Sequence, residues 1–543
     1  MSLPKIFTEK KTLLFLFALA SLLRLFNLYF LRANDPFFLK LYIDHAYYDQ
    51  WALSLLKHGF WEKLPYYTDP FYPFFLSIIY FIFGHNYIVV FVIQCLMGGI
   101  SCILIYQIGK TFFNQQTGWV AALIFAIYSP DIFYSVFLTK VPITILLFLC
   151  SVYFLGGWKK GASFCLLFLS GFFLAASVAN RGNFFLLVPL FILAVFIFEP
   201  GLYKQKILSC LLFALGFSIA ISPWTIRNYI HEKDFILVNQ EGGISFYLGN
   251  NPWSTGTYTN LKFLRPNPKY EHIDFDTEAK RRTGDPHMTR SEVSRFWYGE
   301  AFKYIKTYPR HFRKLLWKKI SLFFNYFEIP DNKSFEFQKR YSPLLKYNPI
   351  TFGLLVPIAL AGMFLSMRKF RTYWFLISTI LIYAISIIAF FLFSRYRIPI
   401  LPLMILFAAH FIIEIKNRIR DLQYKKLIVP IALLLIFYFF INRETHDTDF
   451  YRYHQQADLA YSFLEVDRCD DAIIEVSEAI KIKPGEIRGY NILSRCYMKK
   501  GNLKEARKAL LSYLNYHPDD VSVKNQVQSL ERHIKMMESN SRE

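Results

Sequence analysis

The segment Tyr42-Ile43-Asp44-His45-Ala46-Tyr47-Tyr48-Asp49-Gln50-Trp51-Ala52 sets two carboxylates among aromatic side chains. A carboxylate that stays ionised within hydrogen-bond reach can take a proton from a hydroxyl group. Asp131, in Tyr128-Ser129-Pro130-Asp131, is a further acid at the end of an apolar run. Basic residues take comparable places. Arg181 lies in Asn180-Arg181-Gly182, Arg227 and Asn228 close Pro223-Trp224-Thr225-Ile226-Arg227-Asn228, and Arg395 and Arg397 share Ser394-Arg395-Tyr396-Arg397. Guanidinium groups grip phosphate through paired hydrogen bonds and stay charged. Each feature also has a plainer reading. The acidic segment fits an amphipathic loop helix with Trp51 and the tyrosines in an interfacial belt. The arginines fit side chains that snorkel to the interface.

Other chemistry is poorly marked. The 12 His show no HExxH spacing, and His45 alone reads as a structural hydrogen-bonding residue. The seven Cys form no CxxC pair, so neither a zinc site nor a disulfide framework is indicated. Gly242–Gly256 is glycine-rich but lacks the spacing and the strand–helix setting of a nucleotide loop.

The elements that must position these residues are apolar. The 543 residues are 54% hydrophobic and only 19% charged, which excludes a largely disordered chain. Apolar runs occupy 12–30, 86–108, 117–135, 141–156, 162–178, 184–198, 207–223, 349–366, 372–392, 398–414 and 427–441. Each approaches the length needed to cross a bilayer. Basic clusters separate them: Lys5, Lys10 and Lys11; Lys110; Lys159 and Lys160; Lys204 and Lys206; Arg368, Lys369 and Arg371; and Lys416 through Lys426. All fall on one side if the N-terminus is cytoplasmic. Eleven crossings then put loops 31–70 and 224–348 and the C-terminus outside. Lys10-Lys11 before an apolar stretch and Ala18-Leu19-Ala20 suggests a signal sequence, but the hydrophobicity continues through Leu31, so an uncleaved anchor is expected.

The formal net charge is +22. Residues 445–543, the sizeable soluble module, carry 15 Lys and Arg against 16 Asp and Glu, so no nucleic-acid footprint is present. Residues 224–348 carry 21 against 13, an excess that topology does not explain. Anionic lipid carriers or headgroups are expected to dock there.

The tail repeats. Pro484 and Pro518 are 34 residues apart, with Ala472 and Ala506 twelve residues before them. Tyr490, Leu493, Tyr497 and Gly501 fit the first helix of one unit; Ala460 and Phe463 take matching places in the other. The period resembles the tetratricopeptide repeat. It predicts repeats at 453–486 and 487–520 and a cap at 521–537, a small array that binds a peptide or protein surface.

Taken in order, the acidic first loop, Asp69-Pro70-Phe71-Tyr72-Pro73, the Asp131 and Arg181 segments and the late Ser394–Arg397 segment resemble the membrane-embedded glycosyltransferases of the GT-C type. The likeness is to bacterial relatives of the dolichyl-phosphate-mannose protein mannosyltransferases and of the aminoarabinose transferases, over about residues 10–415. It implies an all-α polytopic bundle of about eleven spans over 1–444, with the repeat tail at 445–543. It implies an inverting hexosyl- or pentosyltransferase, with a polyprenyl-phosphate sugar as donor and a protein or cell-envelope glycan or lipid as acceptor. The setting expected is a bacterial inner membrane. Asp44 matches the first acid of the family's first-loop motif, the acceptor-orienting group or base. His45 stands where the family commonly has Glu, which weakens a two-carboxylate metal site, although Asp49 could substitute; a divalent metal is left open. Asp131 resembles the second-loop acid. Lys140 replaces a commonly acidic residue and could face a phosphate. Arg181, Arg227, Asn228, Arg395 and Arg397 would hold the lipid phosphate, whose developing charge needs neutralising. Two other classes fit more loosely: an envelope polysaccharide ligase or polymerase, and a non-enzymatic membrane scaffold with a peptide-binding tail.

Overall fold

The structure is a computed structural model that describes residues 8–61, 68–161, 163–265, 270–444 and 447–540. Among the described residues every regular element is a helix. The chain divides into two compact units, Met1–Arg443 and Glu444–Glu543.

The first unit begins with α1 (Glu9–Asn34), α2 (Ile43–His58), α3 (Phe71–Phe83), α4 (Tyr87–Phe112), α5 (Gln115–Ala126) and α6 (Ser129–Tyr134). It continues with α7 (Val141–Lys159), α8 (Cys165–Asn180), α9 (Val188–Phe198) and α10 (Tyr203–Glu232). The large loop holds α11 (Gly242–Gly249), α12 (Glu271–Thr283), α13 (Arg290–Thr307), α14 (Pro309–Phe323), α15 (Phe335–Gln338) and α16 (Pro343–Lys346). Then come α17 (Phe352–Ser366), α18 (Phe370–Ile388), α19 (Ser394–Arg397), α20 (Leu401–Arg420) and α21 (Ile428–Ile441).

Seven helical segments among the described residues are long and apolar enough to cross a membrane, and Phe71–Phe83, Cys165–Asn180 and Gly182–Phe198 are shorter apolar helices. The expected eleven runs all fall on helices, but not all have spanning length. Run 117–135 is broken at Ile127–Tyr128, because Pro130 in the first turn of α6 starts a new helix. Runs 349–366 and 372–392 fall in one long apolar segment, Phe352–Ile388. Within it, the exposed turn of Arg368 and Lys369 divides α17 from α18. α3 is an apolar helix that the run count left out. Lys5 and parts of loop 31–70 lie outside the described residues.

Small residues bring the helices close. A Cβ at Gly171 of α8 would run into the carbonyl oxygen of Phe213 on α10, and one at Gly216 of α10 into that of Phe168 on α8. Two backbones can approach this closely only where neither carries a side chain, the usual device for apolar helices in lipid.

The bundle has two chemically distinct ends. At one, Lys110 at the end of α4 pairs with Glu9 at the start of α1 at 2.7 Å. Lys159 at the end of α7 lies 4.1 Å from the ring centroid of Phe198 at the end of α9. Phe113 stacks on Tyr373 near the start of α18, centroids 4.6 Å apart. The predicted basic clusters of these helices therefore gather together. The opposite end carries Lys140, Arg181 and Arg395, the large loop and the close of α21, where Tyr326 N donates to Ile441 O at 3.0 Å.

The second unit contains α22 (Asp447–Glu465), α23 (Cys469–Ile482), α24 (Ile487–Lys499), α25 (Leu503–Leu514) and α26 (Val521–Asn540). Ala460, Ala472 and Ala506 are fully buried. Asn502 caps α25, its Oδ1 accepting from Glu505 N at 3.1 Å.

Candidate active site

At the end opposite the basic clusters, a cavity of about 1520 Å³ opens between the bundle and the large loop. Its polar wall joins the start of α2, the turn before α3, the turn before α7, Arg181 after α8, the segment 235–246 and Asp331. Arg395 and Tyr396 of α19 close it. Phe185 and Leu186, about half exposed, form an apolar side.

Asp44 enters from the first turn of α2. The residue before it, Ile43, has φ of 32°. A β-branched residue in that region is strained, and Asp44 N is tied to Asn332 Oδ1 at 3.1 Å. The Asp44 carboxylate accepts from Arg395 Nη2 at 2.6 Å, while Arg395 Nε lies 2.6 Å from Asp331 Oδ2. One guanidinium thus bridges two carboxylates from distant parts of the chain. Burial raises the proton affinity of Asp44, but the Arg395 charge and hydrogen bond outweigh it and hold the carboxyl below the usual range. For Asp331 burial wins over Arg395, and the Asp44 charge adds to it, so that carboxyl titrates higher than usual.

A second knot lies alongside. Asp69 pairs with Lys140 Nζ at 2.9 Å and accepts from Gly182 N at 3.1 Å. Asn239 Nδ2 also donates to Asp69, while Asn239 Oδ1 accepts from Glu241 N at 3.2 Å. Three stretches of chain far apart in sequence are therefore fixed around one carboxylate. The Arg181 guanidinium sits 4.8 Å from the ring centroid of Tyr396, a cation–π contact.

Glu241 lines the cavity, and among the described residues its carboxylate accepts no hydrogen bond and forms no ion pair. Burial, then the charges of Asp69 and Glu271, push it up to about 8. Glu271 accepts from Tyr258 OH at 2.6 Å.

The structure thus brings Asp44, Lys140, Arg181 and Arg395 together and places the other expected site residues elsewhere. Asp49 turns away from Asp44. It accepts from Tyr80 OH at 2.8 Å and Tyr87 OH at 3.1 Å and contacts His85 Nε2 at 2.7 Å, because residues five apart on a helix do not share a face. Asp131 is buried under Arg24, which also donates to Ala20 O at 2.8 Å, so it is an internal counter-ion rather than a cavity acid. His45 is buried and stacked on Phe137 at 6.1 Å; burial first, then Lys333, push it down to about 3, so it stays neutral. Arg397 is buried. It donates to the carbonyls of Phe323 at 2.8 Å and Asn325 at 2.7 Å and pairs with Glu328 at 3.2 Å, so it anchors the loop. Asn228 donates to the carbonyls of Ile236 and Val238, and buried Arg227 donates to Asn228 Oδ1 at 3.4 Å; neither lines the cavity. Asp69, Glu241, Glu271 and Asp331 are the cavity acids that sequence reasoning missed. Asp69 opened a noted motif and Glu241 precedes Gly242-Gly243, but no spacing singles out Asp331.

A divalent metal does not fit this arrangement. Among the described residues no three His, Cys, Asp or Glu converge on a metal-binding position. Asp44 and Asp331 are both engaged by Arg395.

Residues 65–226 match the family model described as dolichyl-phosphate-mannose-protein mannosyltransferase. The match covers less than a third of the chain and makes that stretch similar to this family of membrane glycosyltransferases. Among solved structures, the chain is similar to the apo oligosaccharyltransferase of Archaeoglobus fulgidus, with 14% identity and a TM-score of 0.45 over 84% of this chain and 58% of that one. It is also similar to the oligosaccharyltransferase of that organism in complex with an inhibitory peptide and a dolichol-phosphate, with 14% identity and a TM-score of 0.41 over 85% and 59%. The chain spans less than two thirds of the length of these structures. A comparison with curated proteins gives no match.

Proposed function

We propose that the protein transfers a sugar from a polyprenyl-phosphate carrier to a protein or cell-envelope glycan or lipid acceptor, inverting the anomeric centre. One observation carries this reading. Asp44, Asp69, Glu241 and Asp331 share a cavity with Arg181, Arg395 and Lys140, and the cavity has an apolar side at Phe185 and Leu186. The donor phosphate is held beside Arg181 and Arg395, with its lipid tail along the apolar side. Asp44, kept ionised by Arg395, orients the acceptor hydroxyl. The hydroxyl oxygen attacks the anomeric carbon as its proton passes to a carboxylate of the cavity, the carbon–oxygen bond to phosphate breaks, and the lipid phosphate leaves with the electron pair. The guanidinium groups are already placed where that charge develops, so little reorganisation is needed. The description of the matched family supports a dolichyl-phosphate-type donor.

In this reading the basic end faces the cytoplasm of a bacterial inner membrane, the cavity opens on the outer side, and the tail follows on that side from the close of α21. Two tetratricopeptide repeats, 453–486 and 487–520, with a cap at 521–537, recruit a protein partner or acceptor. Their helix pairs α22/α23 and α24/α25, with buried alanines where the helices pack, support this assignment. The test is reconstitution of the purified chain with membranes from a deletion strain, which supply native donor and acceptor. Wild type should move a lipid-linked sugar onto an acceptor and release lipid phosphate; no release with any membrane fraction sinks the reading.

A further inference from the structure

We propose that Glu241 is the group that takes the acceptor's proton, while Asp44 orients the acceptor. This rests on the transferase reading and assigns a residue within it. Asp44 is poorly suited to accept a proton, since its carboxylate already holds Arg395 at 2.6 Å. Asp331 holds the same guanidinium, and Asp69 is engaged by Lys140, Gly182 and Asn239. Glu271 is engaged by Tyr258. Glu241 is the cavity carboxylate left without a partner among the described residues.

Its backbone is nevertheless fixed on both sides. Asn239, which clamps Asp69, accepts from Glu241 N, and beyond it Gly243 N donates to Ser294 Oγ at 3.1 Å. A rigid backbone carrying a side chain with open hydrogen-bond capacity is the arrangement a proton-transfer group needs. The groups that act on it are Asp69 from the turn before α3, Glu271 of α12, Lys140 before α7, Asp44 of α2 and Tyr258, while Arg295 and Tyr298 of α13 line the same cavity. The surplus of acids among the interacting charges, after burial itself, raises the carboxyl to about 8. A base of that strength takes a hydroxyl proton more readily than Asp44, which is held below the usual carboxylate range.

The step balances. The acceptor O–H bond breaks, its proton goes to Glu241 and its oxygen forms the new bond to the anomeric carbon. The sugar–phosphate bond breaks, and its electron pair leaves with the lipid phosphate. Glu241 then loses the proton to water.

The experiment uses the full chain with deletion-strain membranes, following product mass against pH. Wild-type kcat should rise about tenfold from pH 7 to pH 9, as the base form of a group titrating near 8 increases. Glu241→Gln should lose about 10²- to 10⁴-fold in kcat and show no rising limb, with donor KM little changed. Glu241→Asp, which keeps the carboxyl, should recover the limb at a reduced rate. Wild-type kcat with no rise over that interval, or Glu241→Gln that keeps both rate and limb, overturns the proposal and leaves the transferase reading standing. A wild type that transfers no sugar overturns both.

Discussion

Replacing Asp131 should cost the protein stability rather than chemistry. Arg24 is fully buried and Asp131 nearly so. Arg24 reaches Asp131 through Nε at 3.2 Å and again through Nη2, and its Nη1 donates to Ala20 O at 2.8 Å. Gly98 leaves the room it occupies, since a Cβ there would strike the guanidinium stem. Asp131→Asn leaves a buried guanidinium without its counter-charge, and Arg24→Met leaves a buried carboxylate. Removing one partner of such a pair costs about 3–5 kcal/mol. In a bilayer the loss should fall toward the lower figure, because unfolded helices find other partners. The double variant Arg24→Met/Asp131→Leu removes both charges and fills the space with apolar atoms, so it should recover to within about 1 kcal/mol of wild type. Each single variant should therefore be about 2–3 kcal/mol less stable than the double one. Thermal unfolding in detergent measures all four proteins, and sugar transfer per folded molecule is measured beside it. A double variant that is stable yet inactive, with Asp131→Asn melting like wild type, would refute the structural assignment and return Asp131 to the chemistry.

Other outcomes are specific. Asp49→Ala strips the shared acceptor from Tyr80, Tyr87 and His85 and should destabilise the unit by about 1–3 kcal/mol, with transfer per folded molecule unchanged; thermal melts and activity together decide it. Arg181→Lys keeps the charge but loses the planar fork over Tyr396, and donor KM should rise about tenfold in steady-state kinetics. Glu241 is raised from 4.5 to about 8, so the folded state holds more protons between those values and stability falls as pH rises through them. Glu241→Gln should remove that fall and melt higher than wild type at pH 9, by at most about 5 kcal/mol. Ala506→Leu overpacks a fully buried position and should cost the second unit about 1–3 kcal/mol while the first unit's melting stays put, read by calorimetry on the full chain.

The helical bundle was legible because burial in lipid writes itself as long apolar runs, and each of the eleven runs falls on a helix. The break inside run 117–135 was not legible, because hydropathy does not register Pro130 restarting a helix, whereas Arg368, Lys369 and Arg371 did mark the turn that divides α17 from α18. Asp44, Lys140, Arg181 and Arg395 could be singled out as costly charges at helix ends. Sequence marks which charges are expensive but not which partner meets the expense. That is why Asp131, whose counter-ion Arg24 is 107 residues away, and Arg397, spent on loop carbonyls, read as site residues. Asp49 was misplaced for a simpler reason: five residues turn a helix well past one face. Asp69, Glu241 and Asp331 acquire their roles only when loops from three regions meet, and no local spacing encodes that meeting.

The central claim, that this cavity transfers a lipid-linked sugar, is tested most directly by mass analysis of envelope glycans and glycoproteins. Cells carrying the wild-type chain, a deletion and Asp44→Asn are compared, with chain abundance confirmed in the membrane. Loss of the same single sugar in the deletion and in Asp44→Asn is the predicted result. A glycan profile unchanged in the deletion contradicts the claim, and a profile lost in the deletion but intact in Asp44→Asn removes Asp44 from the chemistry.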